Sequence, residues 1–292
     1  MVSSFRAGAI SVDPLGPADL VETFAFLDRD PVMNVYLVAL LLRDALGQPR
    51  DEYWAARRDG VMVASLHLGG QSGAVLPLGD DTEALRLLGD QARLRLSFLP
   101  RRFQIIGPST AIEPFLQRFA RSGLIPRLDR GQVYMSLPPE RLPPFERVPD
   151  LVPARSEDLP LVHETGARLR AEELEEDPRD VDALAYRRRV EEECRDGHTF
   201  LWKDVEGLRF RVSVSALTAD AAQVSGVYTP PERRNRGFAA RGLAELCLRL
   251  FQRSREVCLF VNEINTPALA VYRRLGFGPQ GAWRSVFYNT AR

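Results

Sequence analysis

The sequence predicts a mixed α/β (α+β) chain of two similar halves in tandem, each a mixed, mostly antiparallel sheet flanked by helices. Three observations carry this. The chain has 292 residues, which at roughly 150 residues per domain allows about two domains. A proline cluster, "LPPERLPPFERVPDLVP" at 137–153, divides the chain near its middle, because prolines at that density continue neither a helix nor a central strand. Finally, "FARSGLIPRLDRGQVYMSL" (119–137) aligns without a gap to "YRRLGFGPQGAWRSVFYNT" (272–290), matching Gly123 with Gly276, Pro126 with Pro279, Val133 with Val286 and Tyr134 with Phe287. The constant offset reads as a duplication; the alternative is a coincidence between two generic helix-turn-strand pieces. The boundary is expected near residue 145, giving halves 1–145 and 146–292.

The elements follow in order. "VDPLGPADLVETFAFL" reads as an extended segment and a short amphipathic helix, and "DPVMNVYLVALLLRD" as a helix after Asp30 and Pro31. "YWAARRDGVMVASLHLG" is a hairpin turning at Asp59-Gly60, a pair that tolerates the positive φ of tight hairpin turns. "DTEALRLLGDQARL" and "AIEPFLQRFARSG" are amphipathic helices on either side of the strand "FQIIG". The second half opens like the first, with "LVPARSEDLPLVHETG", and places helices at 157–175 and 180–196. A hairpin across "TFLWKDVEGLRFRVSVSAL", the strand "AQVSGVYT", a helix at 237–254, the strand "VCLFVNE", a helix at 266–275 and the strand "WRSVFYN" complete it.

Composition excludes several classes. Lys+Arg and Asp+Glu both number 39, so no broad basic surface for nucleic acid or a membrane is expected, and any cationic site must be local. The three cysteines and three histidines show no metal-ligand spacing; no metal is expected, and a reduced, cytoplasmic setting is. The N-terminal stretch "MVSSFRAGAISVDPLG" lacks the apolar core of a signal peptide, and the longest apolar run, around "VYLVALLL", is about half of a bilayer span. The oligomeric state is not legible.

Chemistry concentrates in "VYTPPERRNRGFAARGLAEL" (227–246). Pro230 and Pro231 end a strand, and Gly237 stands at the start of the next helix. A helix start carries unpaired N–H groups and about half a positive charge, so it attracts anions. Arg234 and Arg236 flank those amides, and the small Ala239 and Ala240 leave room for a ligand. The pattern is neither a Walker loop nor the three-glycine dinucleotide fingerprint, yet it suits a pyrophosphate. The alternative is an arginine-rich surface loop before a core helix.

"RNRGFA" (234–239) resembles the Arg/Gln-x-x-Gly-x-Gly/Ala signature of the GCN5-related N-acetyltransferases, and "FVNEINTPALAVYRRLGF" (260–277) resembles that family's next block. The resemblance covers about 150–292 and implies two such domains in tandem, the first a degenerate copy, as in bacterial members with an N-terminal extension. It implies an acetyl-CoA-dependent transfer to a primary amine, a small molecule or a peptide. Acetyl-CoA would be bound by Val227, Tyr228, Thr229, Arg234, Asn235, Arg236, Gly237, Phe238, Ala239, Ala240, Asn265, Ala268 and Tyr272. The strand at Val227–Thr229 would splay from its neighbour near Cys258–Val261, leaving the Val227 N–H to face the thioester oxygen. Tyr272 matches the family's general acid, whereas the first half has Phe119 in that place and no Arg-x-x-Gly-x-Ala turn, so it should not catalyse.

The base stays open. The strand before the turn offers Gln223 and Ser225 but no carboxylate; Glu172, Glu173 or Glu176 in "LRAEELEEDP" could instead approach and attract a cationic amine, or simply form a solvated face, and Glu263 is a weaker candidate. Arg233 and Arg241 are read as solvated, His163 and His198 as surface or core residues, and Cys258 as packing. A second class of function is an acyl-CoA-binding sensor without turnover, supported by the missing carboxylate; transfer of longer acyl or aminoacyl groups is a third.

Overall fold

Alternating apolar patterns of period two and 3.6 sort the chain into strands and helices in the predicted order. A computed structural model describes residues 8–47 and 49–290; the stretch 1–7, part of the segment examined for a signal peptide, lies outside them. The elements are β1 (Ile10–Pro14), α1 (Leu20–Leu27), α2 (Val35–Asp44), β2 (Asp51–Arg58), β3 (Val61–Gly69), β4 (Ala74–Gly79), α3 (Thr82–Leu94), β5 (Arg102–Pro108), α4 (Ser109–Phe119) and β6 (Pro126–Leu137). Then come β7 (Leu151–Pro153), α5 (Leu159–Leu174), α6 (Pro178–Arg195), β8 (Thr199–Asp204), β9 (Gly207–Leu217), β10 (Ala221–Tyr228), α7 (Phe238–Leu250), β11 (Glu256–Asn262), α8 (Thr266–Arg274) and β12 (Gly278–Asn289). Among the described residues, no helix is long and apolar enough to cross a membrane.

Two compact units result, and they exchange segments relative to a single cut near residue 145. The first gathers the chain up to Asp30, Leu40–Val133 and the chain from Gly281 onward; the second gathers Pro31–Ala39 and Tyr134–Gln280. In the first unit β1 to β4 pair antiparallel in sequence order, β5 joins β4 in parallel, and Trp283–Asn289 of β12 pairs antiparallel with β5. In the second, β7 to β10 pair antiparallel, and β11 joins β10 in parallel. The strand order is therefore the same in both. Each helix that precedes the closing strand ends on a left-handed glycine, Gly123 (φ 76°) and Gly276 (φ 93°), the conformation in which glycine pays no Cβ penalty.

The first core is built on Leu66, Leu88, Phe115 and Phe119, all at most 1% exposed. Phe103 stacks on Tyr288 at 5.2 Å, and Phe119 meets Tyr288 edge-on at 5.4 Å, so β12 is welded to this core by aromatic contacts. Truncating such a phenylalanine to alanine costs roughly 3–5 kcal/mol. In the second unit, Phe210 meets α7 at Gly242, where any Cβ would collide with the Phe210 ring. Its neighbour Arg211 donates to the Val162 carbonyl of α5 at 2.9 Å. Successive strand residues face opposite sides, so α7 and α5 cover opposite faces of β9.

Three differences from expectation have physical reasons. β4 was not foreseen because "AVLPLG" contains Pro77; the parallel ladder to β5 stops at Val75, so no proline N–H is missed on that side. α2 starts at Val35 rather than directly after Pro31, with a turn between. The proline segment does more than divide the halves: Val148 within it is 2% exposed and its N–H donates to Glu245 of α7 at 3.1 Å.

Candidate active site

β10 and β11 are in parallel register only over Ala221–Gln223 and Glu256–Cys258. Both strands continue, to Tyr228 and Asn262, without pairing further. A gap therefore opens between them past Gln223 and Cys258. On its other side β10 is also irregular: Ser225 pairs with Ser213 and Tyr228 with Arg211, so the register to β9 skips Gly226 and Val227. Gly226 has φ 61°, which makes this a bulge built on a left-handed glycine. Sequence reasoning did not single out Gly226, although an isolated glycine in a strand pattern is the signal for such a bulge.

After β10 the chain passes Thr229, a 3₁₀ turn at Pro231–Arg233, and then Asn235 (φ 61°) and Gly237 (φ 78°) before α7 begins at Phe238. Gly237 is the N-cap and supplies no side chain, so the first amides of α7 have no side-chain acceptor. A Cβ at Gly237 would find nothing within 4 Å, so the space beside the N-cap itself is open. Phe238 fixes the helix start: it is 7% exposed, meets Trp202 edge-on at 5.2 Å, and lies under Arg209 and Arg236. No spacing in the sequence linked Trp202 to Phe238.

The four arginines now separate. Arg234 donates to both Glu172 oxygens at 2.7 and 2.9 Å and to the Thr229 carbonyl at 3.1 Å. Arg236, exposed, points over the Phe238 ring. Arg233 and Arg241 are not solvated: Arg233 pairs with Glu206 at 2.5 Å and keeps only 11% of its side chain exposed, while Arg241 pairs with Glu146 at 2.8 Å and lies over Trp202. The reason is local, since carboxylates from elsewhere in the chain, Glu206, Glu172 and Glu146, pair with Arg233, Arg234 and Arg241.

The other candidates are placed as follows. Tyr228 is 3% exposed and its hydroxyl is buried without a hydrogen-bond partner, as is Thr229 Oγ1. Burial, helped by the Glu172 carboxylate, raises the Tyr228 phenol above its usual pKa. Tyr272, on α8, is 7% exposed, and its ring lies 5.8 Å from that of Phe277. Burial pushes its phenol well above the usual range, and the Glu173 carboxylate pushes the same way. Glu172 and Glu173 sit in the last turn of α5, and Glu176 just beyond it, so the acidic run is brought to the arginine turn and to Tyr272 rather than left as a purely solvated face. Asn265 caps α8, accepting from the Ala268 N–H at 3.2 Å, so these two side-by-side candidates are occupied with each other. Gln223 donates to Ser215 Oγ at 2.9 Å, while Ser225 is half-buried on the same strand. Glu263 is exposed past the end of β11, and Cys258 is buried. Among the described residues no group of histidines, cysteines or carboxylates could hold a metal.

Residues 211–287, from β9 into β12, match the family described as FR47-like protein. No curated protein matches the chain. Solved structures do. An acetyltransferase of the GCN5-related family from Sphaerobacter thermophilus is 18% identical with a TM-score of 0.60, over 96% of this chain and 95% of that one. A tandem protein of the same family from the clavulanic acid biosynthesis pathway is 18% identical with a TM-score of 0.56, covering 97% and 98%. One from Colwellia psychrerythraea is 11% identical with a TM-score of 0.56, covering 96% and 100%. Similarity at this level establishes fold. With its two units of one strand order, the chain has the fold of tandem GCN5-related N-acetyltransferases, and its residues 211–287 match the FR47-like family.

Proposed function

We propose that the second half is an acetyl-CoA-dependent N-acetyltransferase acting on a primary amine, and that the first half is a copy without its own coenzyme site. The observation that carries this is the gap between β10 and β11 leading to the uncapped, open N-terminus of α7. The buried Thr229 hydroxyl just past β10, without a hydrogen-bond partner, is suited to a polar ligand, because such groups are costly unless satisfied. Acetyl-CoA, when bound, supplies the acetyl group as a thioester.

The chain's residues then have distinct tasks. The amides of Phe238, Ala239 and Ala240, with Asn235 and Arg236, hold the pyrophosphate, and Arg234 joins them by giving up its pair with Glu172. The Val227 N–H, at the bulge where the register to β9 lapses, stabilises negative charge that develops on an acyl oxygen. Tyr272, a phenol that is protonated at neutral pH, can give its proton to a thiolate leaving group. Gln223 and Ser225 line the same strand and can orient the amine or a water that takes its proton.

Replacing Tyr272 with phenylalanine should lower turnover roughly 100-fold, the modest end of general acid catalysis, while calorimetry shows unchanged acetyl-CoA affinity. Equal turnover would remove the acid role. A second reading has its own support: β10 bears no carboxylate and the Gln223 amide is tied to Ser215, so the chain could bind acyl-CoA as a sensor without transferring the acyl group. Binding of acetyl-CoA with no thiol release on any amine of a broad panel would favour the sensor.

A further inference from the structure

The last turn of α5 carries Glu172 and Glu173 and no basic residue. A helix C-terminus bears about half a negative charge, so a carboxylate there is badly placed unless a cation reaches it from elsewhere. The arginines on α5 itself are engaged: Arg168, one turn before Glu172, donates to Glu164 at 2.8 Å, and Arg170 lies over the Tyr186 ring. The cation for Glu172 comes instead from 62 positions away, where Arg234 Nη2 donates to both carboxylate oxygens at 2.7 and 2.9 Å. The Thr229 carbonyl accepts from Arg234 Nε at 3.1 Å, and the guanidinium lies 5.9 Å over the Tyr228 ring. The pair therefore sits at the end of β10, where the strand gives way to the turn into α7. Its two side chains are 43% and 44% exposed, so water and salt weaken it and a competing anion can replace it. A carboxylate and a phosphate oxygen draw on the same guanidinium donors.

We propose that Glu172 is an internal competitor of the coenzyme: its carboxylate occupies Arg234 in the free chain, and the pyrophosphate must displace it to recruit that arginine. This rests on the turn into α7 being the coenzyme site. Filling the site severs the link between α5 and the turn and leaves an unpaired carboxylate at the end of α5. The contact is autoinhibitory, and its exposure keeps the inhibition small and reversible.

The test is calorimetric titration with coenzyme A of the unmodified chain, Glu172→Gln, Arg234→Ala and the double variant. Glu172→Gln, which keeps the shape of the side chain and removes its charge, should bind coenzyme A about threefold more tightly than the unmodified chain, the effect of releasing one exposed ion pair. In the Arg234→Ala background the same substitution should leave the affinity where it was, because the competition runs through that one guanidinium. Equal affinity of Glu172→Gln and the unmodified chain overturns the proposal. Weaker binding by Glu172→Gln overturns it too, and would mean that Glu172 orients Arg234 for the coenzyme rather than withholding it. So does the same tightening in both backgrounds, which would mark a general loss of negative charge near the turn. If neither the unmodified chain nor Glu172→Gln binds coenzyme A, the reading of the turn falls and the proposal with it; if both bind with one affinity, the proposal alone falls.

Discussion

The turn from β4 to α3 and the turn from β10 to α7 occupy the same place in the two units, and they solve the same problem in opposite ways. In the first, two residues separate strand from helix, and Asp81 caps α3 by accepting from the Glu83 and Ala84 amides at 3.1 and 3.0 Å. Arg58 closes over the cap with hydrogen bonds of 2.7 and 3.0 Å, holding the Asp81 carboxyl below its usual pKa. The protein's own carboxylate therefore sits where an anion would bind. In the second, nine residues intervene, the N-cap is Gly237, and no side chain satisfies the helix amides. A helix start without a side-chain cap and a self-capped one differ here by one carboxylate and a longer turn.

A helix whose start must stay open needs an anchor elsewhere, and α7 has one. Glu245, 0% exposed, accepts from Arg147 at 2.7 and 3.0 Å, from the Val148 N–H at 3.1 Å and from Arg249 at 2.9 Å. These partners, Arg147 first, draw its pKa down from 4.5 to about 2. Glu245→Ala should give the largest loss of stability considered, about 3 kcal/mol, read by urea unfolding. Because the folded pKa is depressed, this stabilisation is full above pH about 4.5 and is lost as the pH falls toward 2. An acid-unfolding profile unchanged in the variant would show that α7 is anchored by packing alone.

Asp81→Ala comes next, with an expected loss of about 1–2 kcal/mol from the missing cap. It should leave coenzyme A affinity untouched, because the first-half turn is too short to cradle a pyrophosphate even when uncapped. A new binding event in this variant would mean that Asp81 alone silences the first half. The smallest effect is expected at one of the paired glycines. Gly123→Ala meets open space and should cost only the left-handed strain of about 1 kcal/mol. Gly276→Ala would also press on the Arg141 backbone and should cost a further 1–3 kcal/mol, roughly. Equal melting temperatures for the two variants would contradict that contact.

Most elements were legible because their apolar periods are local properties. The repeat was legible too, through Gly123 and Gly276, since only a few residues tolerate their backbone. What no local pattern encodes is the partner of a strand. β12 closes the sequence repeat of the second half but pairs with β5, and Pro31–Ala39 reads as part of a first-half helix but packs in the second unit. The turn into α7 could be singled out because its residues are consecutive, Arg234 to Ala239. The ion pair of Arg234 with Glu172 bridges 62 positions and was open only as one of several acidic candidates. Glu245 was passed over because a glutamate on a helix ordinarily faces water; its burial depends on Arg147 arriving from the proline segment.

The central claim is that the chain has one coenzyme site, at the α7 turn. Calorimetric titration of the full chain with coenzyme A should give one site per chain, and Gly237→Glu, which puts a carboxylate where the pyrophosphate would lie, should abolish it. Two sites per chain, or a single site that survives Gly237→Glu, would contradict the account.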